Sequence, residues 1–261
     1  MSSLKSAVKS LVYPLYERRL LRNLDLTSTP HHIGVILDGN RRWARENPSP
    51  TGDISSSRGH RAGASKIIEL LDWCEATDIQ VVTLWLLSSD NLKRDPSELN
   101  QLQGIIAETV DQLGATGRWR IRPVGSFDLL SPELREILEQ VEVKTANHSG
   151  ITVNVAIGYG GRLEIVDAVK RFLMESGDKT GAEIAGELTS EKIAGHLYTA
   201  GQPDPELVIR TSGEQRLGGF LLWQSHQSEF YFCEAYWPDF RKVDFLRALR
   251  SYAQRERRLG R

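Results

Sequence analysis

Apolar positions along the chain follow two different periods. Short, almost continuous apolar runs occur at IGVIL (33–37), VVTLWLL (81–87), WRIRPVG (119–125), ITVNVAIG (151–158), ELVIR (206–210), FLLWQ (220–224) and FYFCEAYW (230–237), and each reads as a buried strand. Between most of them, apolar residues recur every three or four positions. That spacing predicts helices over 61–76, 97–113, 131–145, 161–175, 189–198 and 241–257. Strands alternating with helices predict one α/β domain, with a mostly parallel open sheet of about six strands flanked by helices. The Pro-, Gly- and Ser-rich stretch ENPSPTGDISSSRG (46–59) reads as a mobile loop beside the first strand, not as a domain boundary.

The first thirty residues stand apart from this alternation. Leu4, Val8, Leu11, Val12 and Leu15 fall at helical spacing, with Lys5, Lys9, Arg18, Arg19 and Arg22 among them. This predicts an N-terminal helical arm over 1–30, ahead of a domain at 31–261. The arm packs on its own domain or a sister subunit, or lies as a peripheral helix on an anionic membrane. It lacks the continuous apolar core and cleavage site of a signal peptide, and the expected location is cytoplasmic. The net charge of −1 leaves no global attraction to nucleic acid, so any cationic site is local. Cys74 and Cys233 sit far apart in apolar contexts and read as buried thiols.

In a parallel sheet, ligands bind beyond the carboxyl ends of the strands. Asp38 follows the first strand, SSDN (88–91) the second and YGGR (159–162) the fourth, while Arg210 ends the next and Arg216 follows it. Arg41, Arg42 and Arg45 then place cations in the first turns of a helix, where acids are normally favoured. Known phosphate motifs do not account for this. Asn40 stands where a nucleophilic-aspartate phosphatase has its second acid, no Gly-rich loop closes on Lys-Ser/Thr, and no His/Cys spacing matches zinc. One carboxylate among several arginines suits Mg²⁺ with diphosphate oxygens. Taken singly, Asp38 as a helix cap and Arg210 paired with Glu214 are equally good readings.

The ordered motifs HHIGVILDGNRRWA (31–44), GHRAG (59–63), LSSDNLKR (87–94), NVAIGYGGRLEIVDAV (154–169), ELVIRTSGEQR (206–216), FLLWQSHQSEFYF (220–232) and WPDF (237–240) resemble those of the cis-prenyltransferases, the undecaprenyl diphosphate synthase family. The likeness is greatest to its short-chain Z-farnesyl diphosphate synthase-like members. The resemblance implies Mg²⁺-dependent head-to-tail condensation of isopentenyl diphosphate with geranyl or dimethylallyl diphosphate, forming a Z double bond. It also implies an elongated hydrophobic tunnel for the prenyl chain. Asp38 would be the metal-linked carboxylate, with Glu229 as the second acid. Gly39, Asn40, Arg42 and His60 would contact the allylic diphosphate, with Arg41 and Arg58 beside them and Trp43 shaping the wall. Ser88, Asn91 and Arg94 would stand at the substrate junction, Asn91 helping to take the proton. Arg210, Arg216 and the Gly218 position would bind isopentenyl diphosphate.

The sequence departs from the family pattern at several places. Arg41 stands where glycine is usual, Ser56 where arginine is often found, Gly218 where serine is, and Gln227 where tyrosine is. Trp85 and Leu86 precede the Ser88 motif, where a growing chain would pass. If alternate side chains point into the tunnel, these bulky residues predict a short product of about C15, Z-farnesyl diphosphate. Medium- or long-chain synthesis, irregular lavandulyl-type coupling and a non-catalytic partner subunit are the alternatives. The resemblance further implies a homodimer, with Arg258-Leu259-Gly260 either reaching the neighbouring site or forming a solvated helix end.

Overall fold

The structure is a computed structural model that describes residues 17–22, 24 and 28–259, with side chains as far as Arg255. Six strands form one all-parallel sheet: β1 (His32–Ile36), β2 (Val81–Ser88), β3 (Arg120–Val124), β4 (Thr152–Tyr159), β5 (Leu207–Arg210) and β6 (Glu229–Phe232). Their order across the sheet is β3-β4-β2-β1-β5-β6, with every pair parallel. The chain steps from β1 to β2 on one side and later returns to β5 on the other. The connections leaving β1 and β5 therefore part at the carboxyl edge, the place where such sheets open a crevice.

The helices are α1 (Asn40–Glu46), α2 (Ser56–Glu75), α3 (Pro96–Ala115), α4 (Pro132–Thr145), α5 (Gly161–Glu175), α6 (Gly181–Glu187), α7 (Ser190–Ala194) and α8 (Lys242–Leu259). Their starts are written locally. The Ser55, Asp95 and Ser131 side chains accept backbone N–H groups of the first turns of α2, α3 and α4, and proline opens α3 and α4. Because Ser55 caps α2, the helix begins inside the expected 46–59 loop, which ends before Ser56. Among the described helices, none is long and apolar enough to cross a membrane.

Register sorts the side chains onto two faces. Ile33, Val35, Val82, Leu84, Val153, Val155, Leu207 and Ile209 join the larger core cluster with residues of α2, α3, α4 and α8. Ile36, Ala156 and Val208 lie on the opposite face with Tyr159, Phe220 and Leu221. Near the amino ends this second face is polar: His32 Nε2 is 2.8 Å from the Thr83 hydroxyl, which accepts from Asn154, itself bonded to Gln202.

FLLWQ (220–224), expected as a strand, is not one. Phe220 and Leu221 plug the second face, where Gly34 leaves them room, and Gln224 begins a short 3-10 turn. The Gln224 amide donates to the buried Glu164 at 3.0 Å and to Thr199 at 2.9 Å. An apolar run this short has no period that separates a strand from a buried plug. Likewise α6 was not foreseen, and α7 is shorter than the expected 189–198 helix. In the described part of the N-terminal arm, Leu20 and Leu24 are buried in the larger core; the rest of the arm lies outside the described residues.

Two glycines of GHRAG explain how α1 docks. A Cβ on Gly59 would overlap the Asn40 carbonyl oxygen. One on Gly63 would overlap the Asn40 amide oxygen and stand 2.7 Å from Trp237 Cδ1. Their absence lets α1 settle on α2, fixing the arginines of α1 over the end of β1.

Candidate active site

Asp38 follows β1 and is gripped from several sides. Its Oδ2 accepts from Arg210 at 2.7 Å, and Arg42, one helical turn on, lies 3.6 Å from Oδ1. The Asp38 carbonyl oxygen accepts the Thr211 hydroxyl at 2.7 Å and the Trp237 N–H at 3.0 Å. Burial pushes the Asp38 carboxyl upward. The hydrogen bond and charge of Arg210, then Ser212 and Arg42, outweigh it and hold the pKa below the ordinary value. Asp38 does not cap α1: the N-cap is Gly39, left-handed at φ 106°, with no side-chain cap, and the first turn holds no acid.

A cavity of about 560 Å³ opens above this carboxylate. Arg41, Arg42, Arg45, Arg94, Arg210 and Arg216 line it, against the two carboxylates of Asp38 and Glu214. Six guanidinium groups facing two acids leave the cavity strongly cationic, as a binding site for a polyanion requires. Glu214 bridges Arg42 at 3.5 Å and Arg216 at 3.3 Å. Glu98 does the same for Arg94 at 3.4 Å and Arg41 at 3.6 Å. Arg94 also donates to Asn91 Oδ1 at 2.9 Å, and the Ser88 hydroxyl accepts the Asn91 N–H at 3.1 Å. Arg210 reaches the Arg216 carbonyl, closing the loop between them.

Four buried polar atoms of residues lining this cavity have no protein partner: Asn40 Oδ1, His60 Nε2, Trp85 Nε1 and Arg210 Nε. Leaving such groups unpaired is costly. Burial, then the charges of Arg94 and Arg41, hold the His60 pKa down to about 4. Its ring is therefore neutral at pH 7.

Trp85 and Leu86 divide the site. Trp85 pairs in register with Ile36, which pairs with Arg210, so these three side chains share the second face. Trp85 stacks on Phe220 at 5.1 Å and lies beside Gly218, where a Cβ would stand 3.5 Å from the indole and 3.8 Å from Arg210 Nη1. Leu86 takes the opposite face, in a narrow apolar cavity of about 40 Å³ between α2 and α3. Leu37, Asn40, His60, Leu86 and Leu102 line both cavities. The elongated tunnel expected from the resemblance is thus a small apolar space, and Trp85 does not face it.

Of the sequence-derived candidates, Asp38, Gly39, Asn40, Arg41, Arg42, His60, Trp85, Leu86, Ser88, Asn91, Arg94, Arg210, Arg216 and Gly218 line the cationic cavity. Three others do not. Trp43 donates to Asp239 at 2.9 Å, and Arg58 lies over the Trp43 ring at 4.8 Å while donating to the Asn47 carbonyl. Glu229 opens β6 opposite Leu207, at the amino edge of the sheet, and pairs with Arg255 at 2.7 Å. Parallel register separates it from Asp38 of the same chain, so the two do not share an ion within one chain. Arg45 and Glu214 belong to the wall but were not among the candidates. Arg45 stands out in the sequence only as a cation early in α1, and Glu214 only as a partner for Arg210. The Arg258–Gly260 side chains lie outside the described residues.

The family model of undecaprenyl diphosphate synthase, Prenyltransf, matches residues 36–260. The chain belongs to this prenyltransferase family. It is 58% identical over 251 residues to a (2Z,6E)-farnesyl diphosphate synthase of Thermobifida fusca, covering 95% of this chain and 97% of that protein. A second (2Z,6E)-farnesyl diphosphate synthase, of Mycolicibacterium smegmatis, is 48% identical over 266 residues, covering 100% of both. Among solved structures, lavandulyl diphosphate synthase from Lavandula x intermedia, in complex with dimethylallyl diphosphate, superposes with a TM-score of 0.77. It is 30% identical and covers 87% of this chain and 96% of that one. In this prenyltransferase, then, the cationic cavity and the apolar space share five lining residues.

Proposed function

We propose that this prenyltransferase condenses isopentenyl diphosphate head-to-tail with geranyl diphosphate, giving (2Z,6E)-farnesyl diphosphate. The observation that carries this reading is the meeting of a six-arginine cavity with an adjoining apolar space between α2 and α3, with Leu86 lining both. The short relatives' names support the same product. The similarity to lavandulyl diphosphate synthase makes irregular coupling the alternative product to look for.

In the reaction the allylic C1–O bond breaks and its electron pair leaves with the diphosphate. The isopentenyl C4 attacks C1, and a proton is lost from isopentenyl C2. Arg41, Arg42, Arg45 and the neutral His60 bind the allylic diphosphate and stabilise its departure. Arg210 and Arg216 hold the second diphosphate on the Trp85 side, so each anion has its own cations. Asn91 Oδ1 already accepts from Arg94, so Asn91 aligns the junction, and the departing diphosphate is the stronger base for the proton. Asp38 offers one carboxylate whose Oδ1 lies outside the tight Arg210 bond, which fits Mg²⁺ carried with phosphate oxygens and water. Asp38 would hold the ion there, and it would supply positive charge to the leaving diphosphate. A homodimer, a cytoplasmic location and peripheral membrane contact rest on the family resemblance and the N-terminal pattern.

The test incubates the protein with Mg²⁺, isopentenyl diphosphate and, separately, dimethylallyl, geranyl or farnesyl diphosphate. Z,E-configured fifteen-carbon product, strongest from geranyl diphosphate, is expected. Branched product from dimethylallyl diphosphate alone would replace this reading with irregular coupling, and no condensation from any substrate would refute it.

A further inference from the structure

Three consecutive residues at the end of β5 hold Asp38, each differently. Arg210 bonds its carboxylate and Thr211 its carbonyl. Ser212, third in the row, is buried at 7% exposure with φ 79°, a left-handed conformation that non-glycine residues rarely adopt. Two backbone bonds impose it: the Ser212 N–H donates to the Ala235 carbonyl at 2.7 Å, and the Gly213 N–H to the Cys233 carbonyl at 2.9 Å. The side chain is thereby aimed at the turn after β1. A Cβ on Gly39 would stand 3.1 Å from Ser212 Cβ, and Arg42 donates to the Ser212 hydroxyl at 2.7 Å. Glycine at 212 would adopt this backbone without strain, yet the sequence keeps a hydroxyl there. Strain retained at a site marks a functional constraint.

We propose that Ser212 is a positioning residue whose hydroxyl, aimed by the strained backbone, holds the Arg42 guanidinium beside Asp38 and so ties the allylic half-site to the Arg210–Arg216 loop. The role rests on the condensation reading for its substrate, but the clamp itself exists without it. Arg42 has a second tether in Glu214, 3.5 Å away on the same loop. Arg42 also lies 3.6 Å from Asp38 and 5.5 Å over the Tyr236 ring, and the Ser212 hydroxyl makes the shortest of these contacts.

The test compares Ser212→Gly and Ser212→Ala with the parent. Both lose the hydroxyl, whereas only glycine relieves the strain, so stability and function should separate. Ser212→Gly is expected to melt above Ser212→Ala. Both should lose about tenfold in kcat/KM for the allylic substrate, the scale of one hydrogen bond to a charged group, with KM for isopentenyl diphosphate changing less. Calorimetry with inorganic pyrophosphate and Mg²⁺ reads the clamp without condensation, and about tenfold weaker binding is expected in both variants. An inactive parent enzyme would refute the condensation reading and leave pyrophosphate affinity to judge Ser212. Full activity and affinity in Ser212→Gly, with or without loss in Ser212→Ala, would overturn the positioning role.

Discussion

Trp85 and Leu86 are adjacent in β2 yet wall opposite faces of the sheet: Trp85 stacks on Phe220 beside Gly218, while Leu86 lines the apolar space between α2 and α3 where it meets the cationic cavity. One peptide unit therefore separates the wall of the Arg210–Arg216 half-site from a side chain that stands between the cationic cavity and the apolar space. Leu86→Ala widens that passage. The product should lengthen by at least one isoprene unit, at a stability cost of about 2 kcal/mol, the low end for a leucine deletion because Leu86 is only half-buried. Chain-length analysis of the products against geranyl diphosphate checks it, and an unchanged product would remove Leu86 from the determination of length.

Trp85→Phe makes the complementary prediction. It keeps an aromatic ring against Phe220 but deletes the unpartnered indole N–H. KM for isopentenyl diphosphate should rise roughly three- to tenfold, the value of one neutral hydrogen bond, with product length unchanged. Steady-state kinetics with product analysis separates the two residues: longer products from Trp85→Phe would place the ring in the chain's path after all.

Asp38→Asn keeps the shape of the side chain and removes its charge. Turnover should fall by about 10²–10³-fold, as for loss of one preorganised electrostatic contact. Arg210, buried at 7% exposure, would lose its ionic partner, and the melting temperature should drop by roughly 3–5 °C, the equivalent of about 1.5 kcal/mol for one charge-assisted hydrogen bond. Single-turnover rates and calorimetry measure the two effects. Near-parental turnover would refute a central electrostatic role for Asp38.

How much of this was legible beforehand follows from what register and periodicity encode. The apolar runs at 33–37 and 81–87 identified β1 and β2, and the rule that ligands gather beyond strand ends brought Asp38, Arg210 and Ser88 together. Strand alternation puts Trp85 and Leu86 on opposite faces, but the sequence could not show which of them turns to α2 and α3. It matched Glu229 to a metal role by motif order. Parallel register instead places residue 229 at the start of β6, level with Leu207, and Asp38 beyond the end of β1. The strain at Ser212 has no sequence signal, since serine before glycine reads only as a turn.

The last prediction concerns acid stability and rests on His32 rather than on the site. His32 is 1% exposed, with Nδ1 2.7 Å from the Pro203 carbonyl and Nε2 2.8 Å from the Thr83 hydroxyl. Burial lowers its pKa from 6.5 to about 4, against the opposing pull of the Pro203 carbonyl. The folded protein thus prefers the neutral ring, and the unfolded chain binds the proton first. The resulting stability is complete above pH 6.5 and is lost as pH falls toward about 4, by up to roughly 3 kcal/mol. His60, also held to about 4 by burial and by Arg94 and Arg41, titrates in the same window, but it lines the cationic cavity, where a bound diphosphate would raise its pKa. Pyrophosphate should therefore flatten the His60 share of the acid loss and leave the His32 share intact. Urea midpoints measured from pH 7.5 to 4.5, with and without pyrophosphate, resolve the two, and His32→Gln should remove the ligand-independent part. A His32→Gln variant with the parent's full pH dependence would show that the buried ring is not its source.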